Sequence, residues 1–375
     1  MGIAHLLALH SLPEIGNVRL TALLDYFGDA EAAWQNPQEW AQALPRQFSK
    51  AALAQLRQDM QKLEPWEVYE RFLLTGAKLV TLPEPHYPQQ LAQIDDPPYL
   101  LFYKGQLPQP LDLAIAIIGS RRATSYGREA AGFLAGGLAQ AGVWVIAGLA
   151  RGIDTAAHQA ALQAGGKTLG VLGCGIDVIY PRENRLLFQQ MAEKGCILTE
   201  YPLGMQPLAK NFPIRNRIIS GLSQGVIVVE AGLKSGTQIT VDYALNQGRS
   251  IYAVPGSIFS PFSQGTFSLL KNVGVKPVAT PEDVLDDLRP VHRQPPPSVQ
   301  PQLFGGQPEA PPPGLDELEQ RIWQALAGEK RHFNDLAAEF AVSASELSAK
   351  LTMCELKGLV KRADGQYFSR RTTGL

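Results

Sequence analysis

Two short stretches of this chain carry the residue types that hold phosphate. Gly119-Ser120-Arg121-Arg122-Ala123-Thr124-Ser125 sets a glycine, hydroxyl side chains and two guanidinium groups close together. Glycine permits close backbone approach, and an arginine fork matches a pair of phosphate oxygens. Lys234-Ser235-Gly236-Thr237 repeats the combination with an ammonium group. Where such a stretch leads into a helix, the helix's unpaired N–H groups and positive dipole end add to the anion seat. Between the two lies Phe212-Pro213-Ile214-Arg215-Asn216-Arg217, with three donor side chains in succession. On a helix, residues 215 and 217 point in different directions. One arginine is therefore expected at the ligand edge, and the other on a strand-end carboxylate such as Glu200 or Glu230. The stretches fit neither the Walker P-loop nor the dinucleotide glycine fingerprint. Two phosphate seats with basic residues between them suit an extended nucleic-acid backbone better than one small phosphate.

Other chemistry is sparse. Asp154 and His158, four apart, share a helix face and could form an acid–base pair, or a buried pair tying the helix start to the sheet; the second reading is preferred. Cys174, Cys196 and Cys354 are far apart and lack metal-ligand spacing, as expected of a reducing compartment. No catalytic residue, metal site or cofactor is expected. Lys plus Arg total 34 against 35 Asp plus Glu, a net charge of -1 that excludes coating DNA by bulk charge but allows a local basic patch. With no secretory leader and no apolar run of the ~18 residues a spanning helix needs, a cytoplasmic protein without membrane insertion is expected.

The elements that must position these groups are legible as short apolar runs: Ala114–Ile118, Val143–Ala147, Thr168–Leu172, Val226–Val229 and Ile251–Val254. Helical segments separate them at Tyr126–Ala141, Ile153–Ala164, Arg185–Lys194 and Gln238–Gln247. Continuous apolar strands alternating with helices indicate a mostly parallel α/β sheet covered on both faces. Right-handed crossovers gather the strand-to-helix loops on one edge, where such folds bind ligands.

Four regions are expected: a helical domain over 1–75, the α/β domain over 76–288, a linker over 289–314 and a tail over 315–375. In the first, leucines at helical spacing flank Pro13-Glu14-Ile15-Gly16, a helix-hairpin-helix pattern. The linker holds nine prolines and reads as a semi-stiff tether. In the tail, helices are expected at Leu315–Leu326, Phe333–Phe340 and Ala344–Leu359, the last capped by Ser343 with Glu346. Two strands then turn at Asp364-Gly365, completing a winged helix. Its third helix has few basic residues, so the tail is not expected to be the main single-strand site.

Taken in order, many segments closely resemble the bacterial DNA-processing protein A family, DprA or Smf. They are Tyr87-Pro88 with Asp96-Pro97-Pro98, Ile118–Arg121 with Thr124 and Tyr126-Gly127, Gly148–Asp154 with Ala157-His158, Gly173–Pro181, Thr199–Pro202, Phe212–Ile218, Glu230–Thr237 and Pro255-Gly256. The resemblance covers about Pro83 to Ala279; Ala147 and Thr199 stand where the family often has serine. It implies an extended Rossmann-like domain that binds single-stranded DNA, forms a homodimer and loads RecA in natural transformation, with Arg121 and Arg215 in the DNA pocket. It also implies an N-terminal helical domain and a C-terminal winged helix. The phosphate-binding set is therefore Gly119, Ser120, Arg121, Arg122, Thr124, Arg215, Asn216, Arg217, Lys234, Ser235, Gly236 and Thr237. A rival reading is a Rossmann-like enzyme that cleaves the base from a nucleoside monophosphate, suggested by Glu230 with Ser235-Gly236-Thr237. That class carries a glycine-rich loop ahead of its catalytic glutamate, and here both the glycine run and the order are missing.

Overall fold

The computed structural model describes residues 2–44, 50–109, 112–233, 235–288, 312, 315–326, 331–340, 342, 344–363 and 367–370. The chain divides into two compact units, Met1–His292 and Arg293–Leu375. Most of the linker, Lys234, Ser343 and the Asp364-Gly365 turn lie outside the described residues.

The first unit opens with helices α1 (Ile3–Ser11), α2 (Asn17–Phe27), α3 (Ala30–Gln35), α4 (Trp40–Ala43), α5 (Lys50–Met60) and α6 (Pro65–Leu74). Strands β1 (Lys78–Thr81) and β2 (Leu100–Gly105) follow, with α7 (Gln89–Ala92) between them. The α/β alternation then runs β3 (Ala114–Ile118), α8 (Ser125–Gln140), β4 (Trp144–Ala147), α9 (Ile153–Gln163), β5 (Thr168–Val171), α10 (Arg185–Lys194) and β6 (Cys196–Thr199). After α11 (Asn211–Gly221) come β7 (Gly225–Val228), α12 (Thr237–Asn246), β8 (Ser250–Ala253), α13 (Gln264–Leu270), β9 (Val275–Pro277) and α14 (Pro281–Leu288).

These strands form one sheet in the order β1-β2-β6-β5-β4-β3-β7-β8-β9. From β6 to β9 all neighbours are parallel, whereas β1–β2 and β2–β6 are antiparallel. The chain winds outward from β3 through β4, β5 and β6, then returns to pair β7 on the other side of β3. That reversal makes the carboxyl ends of β3 and β7 the topological switch point, where the ligand crevice of a doubly wound sheet opens. The central strands β3 to β7 are buried along their whole length, which explains their unbroken apolar composition. The N-terminal helices share one core with the sheet: Leu6, Leu9, Leu20 and Phe72 belong to the same buried cluster as Phe102, Leu172, Phe188 and Ile197.

Polar side chains also join the α1–α2 hairpin to the sheet. Asn17 Nδ2 donates to Asp96 Oδ1 at 2.6 Å and to the Pro97 carbonyl at 2.8 Å, and its Oδ1 accepts from Tyr99 N at 2.6 Å. The His10 ring Nε2 lies 2.7 Å from the Glu200 carbonyl. The hairpin's turn is therefore docked on the loops that precede β2 and follow β6.

In the second unit, α15 (Glu317–Ala325), α16 (Phe333–Phe340) and α17 (Ala344–Leu356) are accompanied by β10 (Arg331–His332), β11 (Val360–Ala363) and β12 (Tyr367–Arg370). The sheet order β10-β12-β11 adds a short third strand to the expected two-stranded wing. The buried set includes Ile322, Leu336, Leu347, Leu351 and Phe368.

Candidate nucleic-acid interface

A cleft of about 550 Å³ opens at the switch point. The loop after β3 contributes Gly119, Ser120 and Arg121; the loop after β4 contributes Ala150, and α9 contributes Asp154. The opposite wall is built by Tyr180, Pro207, Ala209, Phe212, Arg215 and Asn216, and the amino end of α12 closes it with Ser235, Gly236 and Thr237. Arg121 is exposed, and its guanidinium lies 5.1 Å from the centre of the Phe212 ring. Tyr180 meets the same ring at 5.5 Å. Stacking holds the arginine's planar face and leaves its N–H fork for a ligand. At α12, Ser235 Oγ bonds to Thr237 Oγ1 and accepts from Thr237 N at 3.2 Å. The loop is thereby folded back so that a helix N-terminus faces the cleft.

The amino end of α8, expected to be a phosphate seat, is already filled. Glu230, only 2% exposed, follows β7 and turns its carboxylate into this helix. Its Oε1 accepts from Thr124 Oγ1 at 2.5 Å and its Oε2 from Thr124 N at 2.9 Å. Thr124 Oγ1 in turn caps the helix by accepting from Gly127 N at 3.0 Å. Gly127 is required here, because a Cβ would stand 2.2 Å from Glu230 Oε2. Thr124, expected among the phosphate ligands, is thus bonded to an internal carboxylate and lies outside the cleft lining. Arg122 is exposed but also outside the lining.

The two arginines of α11 divide as their directions on the helix require, one to a strand-end carboxylate and one to the cleft. Arg217 forms a two-pronged pair with Glu200, 2.7 Å at each prong, and reaches Asp96 at 3.2 Å. Buried and engaged by carboxylates, it lies outside the cleft lining and binds one of the two acids that the sequence offers it. Arg215 does line the cleft but is 3% exposed. Its Nη1 donates to the Gly148 carbonyl at 2.9 Å and to the Val171 carbonyl, closing the ends of β4 and β5, while Nε donates to Asn216 Oδ1 at 3.2 Å. Gly148 makes room for the guanidinium, since a Cβ there would lie 2.6 Å from Nη2. Burial lowers the Arg215 pKa to about 10. Beneath it, burial raises Asp154 to about 6, against the pull of Arg215 and of the Ala150 and Gly148 N–H groups that its Oδ2 accepts. Asp154 and His158 do not bond to one another: His158 Nδ1 meets Thr168 Oγ1 at 2.6 Å instead. Among the described residues, no group of three or more His, Cys, Asp or Glu side chains could hold a metal ion, and no helix is long and apolar enough to cross a membrane.

The family described as DNA recombination-mediator protein A matches residues 78–289, and the DprA winged helix domain matches residues 306–366. The chain belongs to the DprA/Smf family. Protein Smf of Synechocystis is 32% identical over 98% of both chains. DprA of Streptococcus pneumoniae is 46% identical over 53% of this chain and 70% of its own. The crystal structure of that pneumococcal DprA superposes with a TM-score of 0.66 at 35% identity, covering 75% of this chain and 95% of that one. A Helicobacter pylori DprA structure, described in terms of a single-stranded DNA binding mode, gives a TM-score of 0.51 at 30% identity and covers 57% and 97%.

Of the expected ligands, Gly119, Ser120, Arg121, Arg215, Asn216, Ser235, Gly236 and Thr237 converge on the cleft of this DprA/Smf fold. Pro207 and Ala209 also line it but carry no local signal, because they enter on the irregular loop between β6 and α11. Tyr126 is turned away, donating its hydroxyl to the Pro255 carbonyl at 2.6 Å.

Proposed function

We propose that this chain binds single-stranded DNA along the cleft at the carboxyl ends of β3, β4 and β7, and that as a homodimer it delivers the strand to RecA during transformation or recombination. Membership of the DprA/Smf family supports the first part, and the RecA and dimer steps extend the reading by that resemblance. The observation that carries it is Arg121, the exposed guanidinium of the lining, stacked on Phe212 and sharing the cleft with the hydroxyl-bearing start of α12. A positive fork, a flat aromatic surface and helix N–H groups together match a phosphate backbone with unstacked bases. The role is binding and not catalysis: Glu230, the acid a nucleotide-cleaving mechanism would use, is buried against α8. The test is oligo-dT binding across a salt series, beside duplex of equal length. Arg121→Ala should weaken every single strand alike and reduce the slope of log affinity against log salt by roughly 0.7, with an unchanged Tm. Arg215→Ala should instead lower the Tm, with a loss of roughly 1–3 kcal/mol, because it leaves the buried Gly148 and Val171 carbonyls without their donor. Wild-type affinity and slope in a folded Arg121→Ala protein would remove Arg121 from the interface.

A further inference from the structure

The first strand-to-helix turn of a doubly wound sheet is the seat where such folds hold the phosphate of a nucleotide. In this chain that seat contains a carboxylate of the protein itself. Glu230 reaches it from the adjacent strand β7, accepts from both the backbone N–H and the hydroxyl of Thr124, and is shielded from solvent. The fit is specific on both sides. Gly127 lacks the side chain that would collide with the carboxylate, and the Glu230 carbonyl accepts from Ser120 N at 2.9 Å, so the same residue fixes the loop that carries Arg121. Two consequences follow from one side chain. The seat that a phosphate monoester would take is closed, and the loop is held with Arg121 directed to the open cleft instead.

We propose that Glu230 is a specificity-determining residue: its carboxylate stands in for a phosphate at the start of α8 and so denies the site to free nucleotides and inorganic phosphate, keeping the cleft for a polymeric strand. The inference rests on the single-strand reading above, but the first measurement below does not depend on it. Free nucleotides and phosphate compete for isolated seats, whereas a strand gains from several contacts spread along the cleft. A seat filled from within makes the competitor's tightest position unavailable at no loss to the strand.

The experiment compares wild type with Glu230→Ala in thermal melts and in binding assays with acetate, inorganic phosphate and AMP, at ionic strength matched with chloride. Glu230→Ala empties the seat while leaving its donors on Thr124, so it should melt lower than wild type in chloride. Acetate, the chemical equivalent of the missing group, and phosphate should restore much of the loss, and neither should shift wild type. AMP should bind Glu230→Ala about tenfold more tightly than wild type, the worth of one charge-assisted hydrogen bond. Should Glu230→Ala fail to fold in chloride, recovery of folded protein in acetate or phosphate supports the same conclusion, and equal failure in every salt overturns it. An Ala variant that folds but is stabilised by phosphate and acetate no more than wild type also overturns it, leaving Glu230 a helix cap alone. If wild type binds no oligo-dT, the single-strand reading fails, and the anion rescue still decides what occupies the seat.

Discussion

His158 shows how one hydrogen bond decides the charge of a buried side chain. Thr168 Oγ1 donates its hydrogen to the Val145 carbonyl at 2.7 Å, so the ring nitrogen that approaches it at 2.6 Å has to be the donor. That assigns the proton of the neutral ring to Nδ1 and leaves Nε2 buried without a partner. Protonating Nε2 would place an unpaired N–H and a charge in the core, and burial accordingly lowers the pKa to about 3. The folded value lies below that of the unfolded chain, so the unfolded chain takes up the proton first. Stability from this group is complete above about 6.5 and drains away as pH falls toward about 3, by up to about 1.4 kcal/mol per pH unit. Asp154 acts in the opposite sense: its folded value of about 6 exceeds the ordinary 3.8, so its contribution falls as pH rises between them. A His158→Gln protein should have a flatter acid limb in a plot of Tm against pH from 6.5 to 4. An acid limb as steep as that of wild type would mean that the folded protein protonates His158. Spacing alone placed Asp154 and His158 on one helix face; it could not reveal that backbone N–H groups and Thr168 would claim them separately.

At the scale of elements, the winged-helix unit ties Lys350 and Lys357 to its own carboxylates. Asp316 and Glu319 form a capping box at the start of α15, and each also takes a lysine: Lys350 of α17 on Asp316, and Lys357, just past the end of α17, on Glu319 at 2.7 Å. The lysine of the helix that would enter a DNA groove, and the one that follows it, are thus tied to the start of the neighbouring helix. Asp316→Ala removes a cap and an ion pair together, and should lower the stability of this unit by about 1 kcal/mol, read as faster amide exchange along α15 and α17. Exchange confined to its wild-type rate would show that the cap contributes nothing. The sequence made the five apolar strands visible because both faces are buried. It concealed β1, β2, β6 and β9 for identifiable reasons. β6 follows α10 with only Gly195 between them, β9 is three residues ending in proline, and β1 and β2 owe their pairing to an antiparallel edge that no local pattern announces. The same limit applies to α11, whose two arginines were separable by direction but not by partner.

For the molecule as a whole, every described residue lining the cleft lies in the Met1–His292 unit. Removing residues after about 290 should therefore leave oligo-dT affinity within about tenfold of the full chain, less than the 1.4 kcal/mol that a true contact region would carry. A greater loss in a truncated protein of unchanged Tm would assign a share of the interface to the tail. The N-terminal helices stand differently. Asn17 holds Asp96, Asp96 and Glu200 hold Arg217, and the Glu200 carbonyl meets His10, so a closed ring of polar contacts passes from the α1–α2 hairpin into α11. Phe212 and Arg215 ride on that same helix. Thermodynamic reciprocity then governs the two ends: whatever factor hairpin docking adds to the grip on a strand, an occupied cleft returns to the docking of the hairpin.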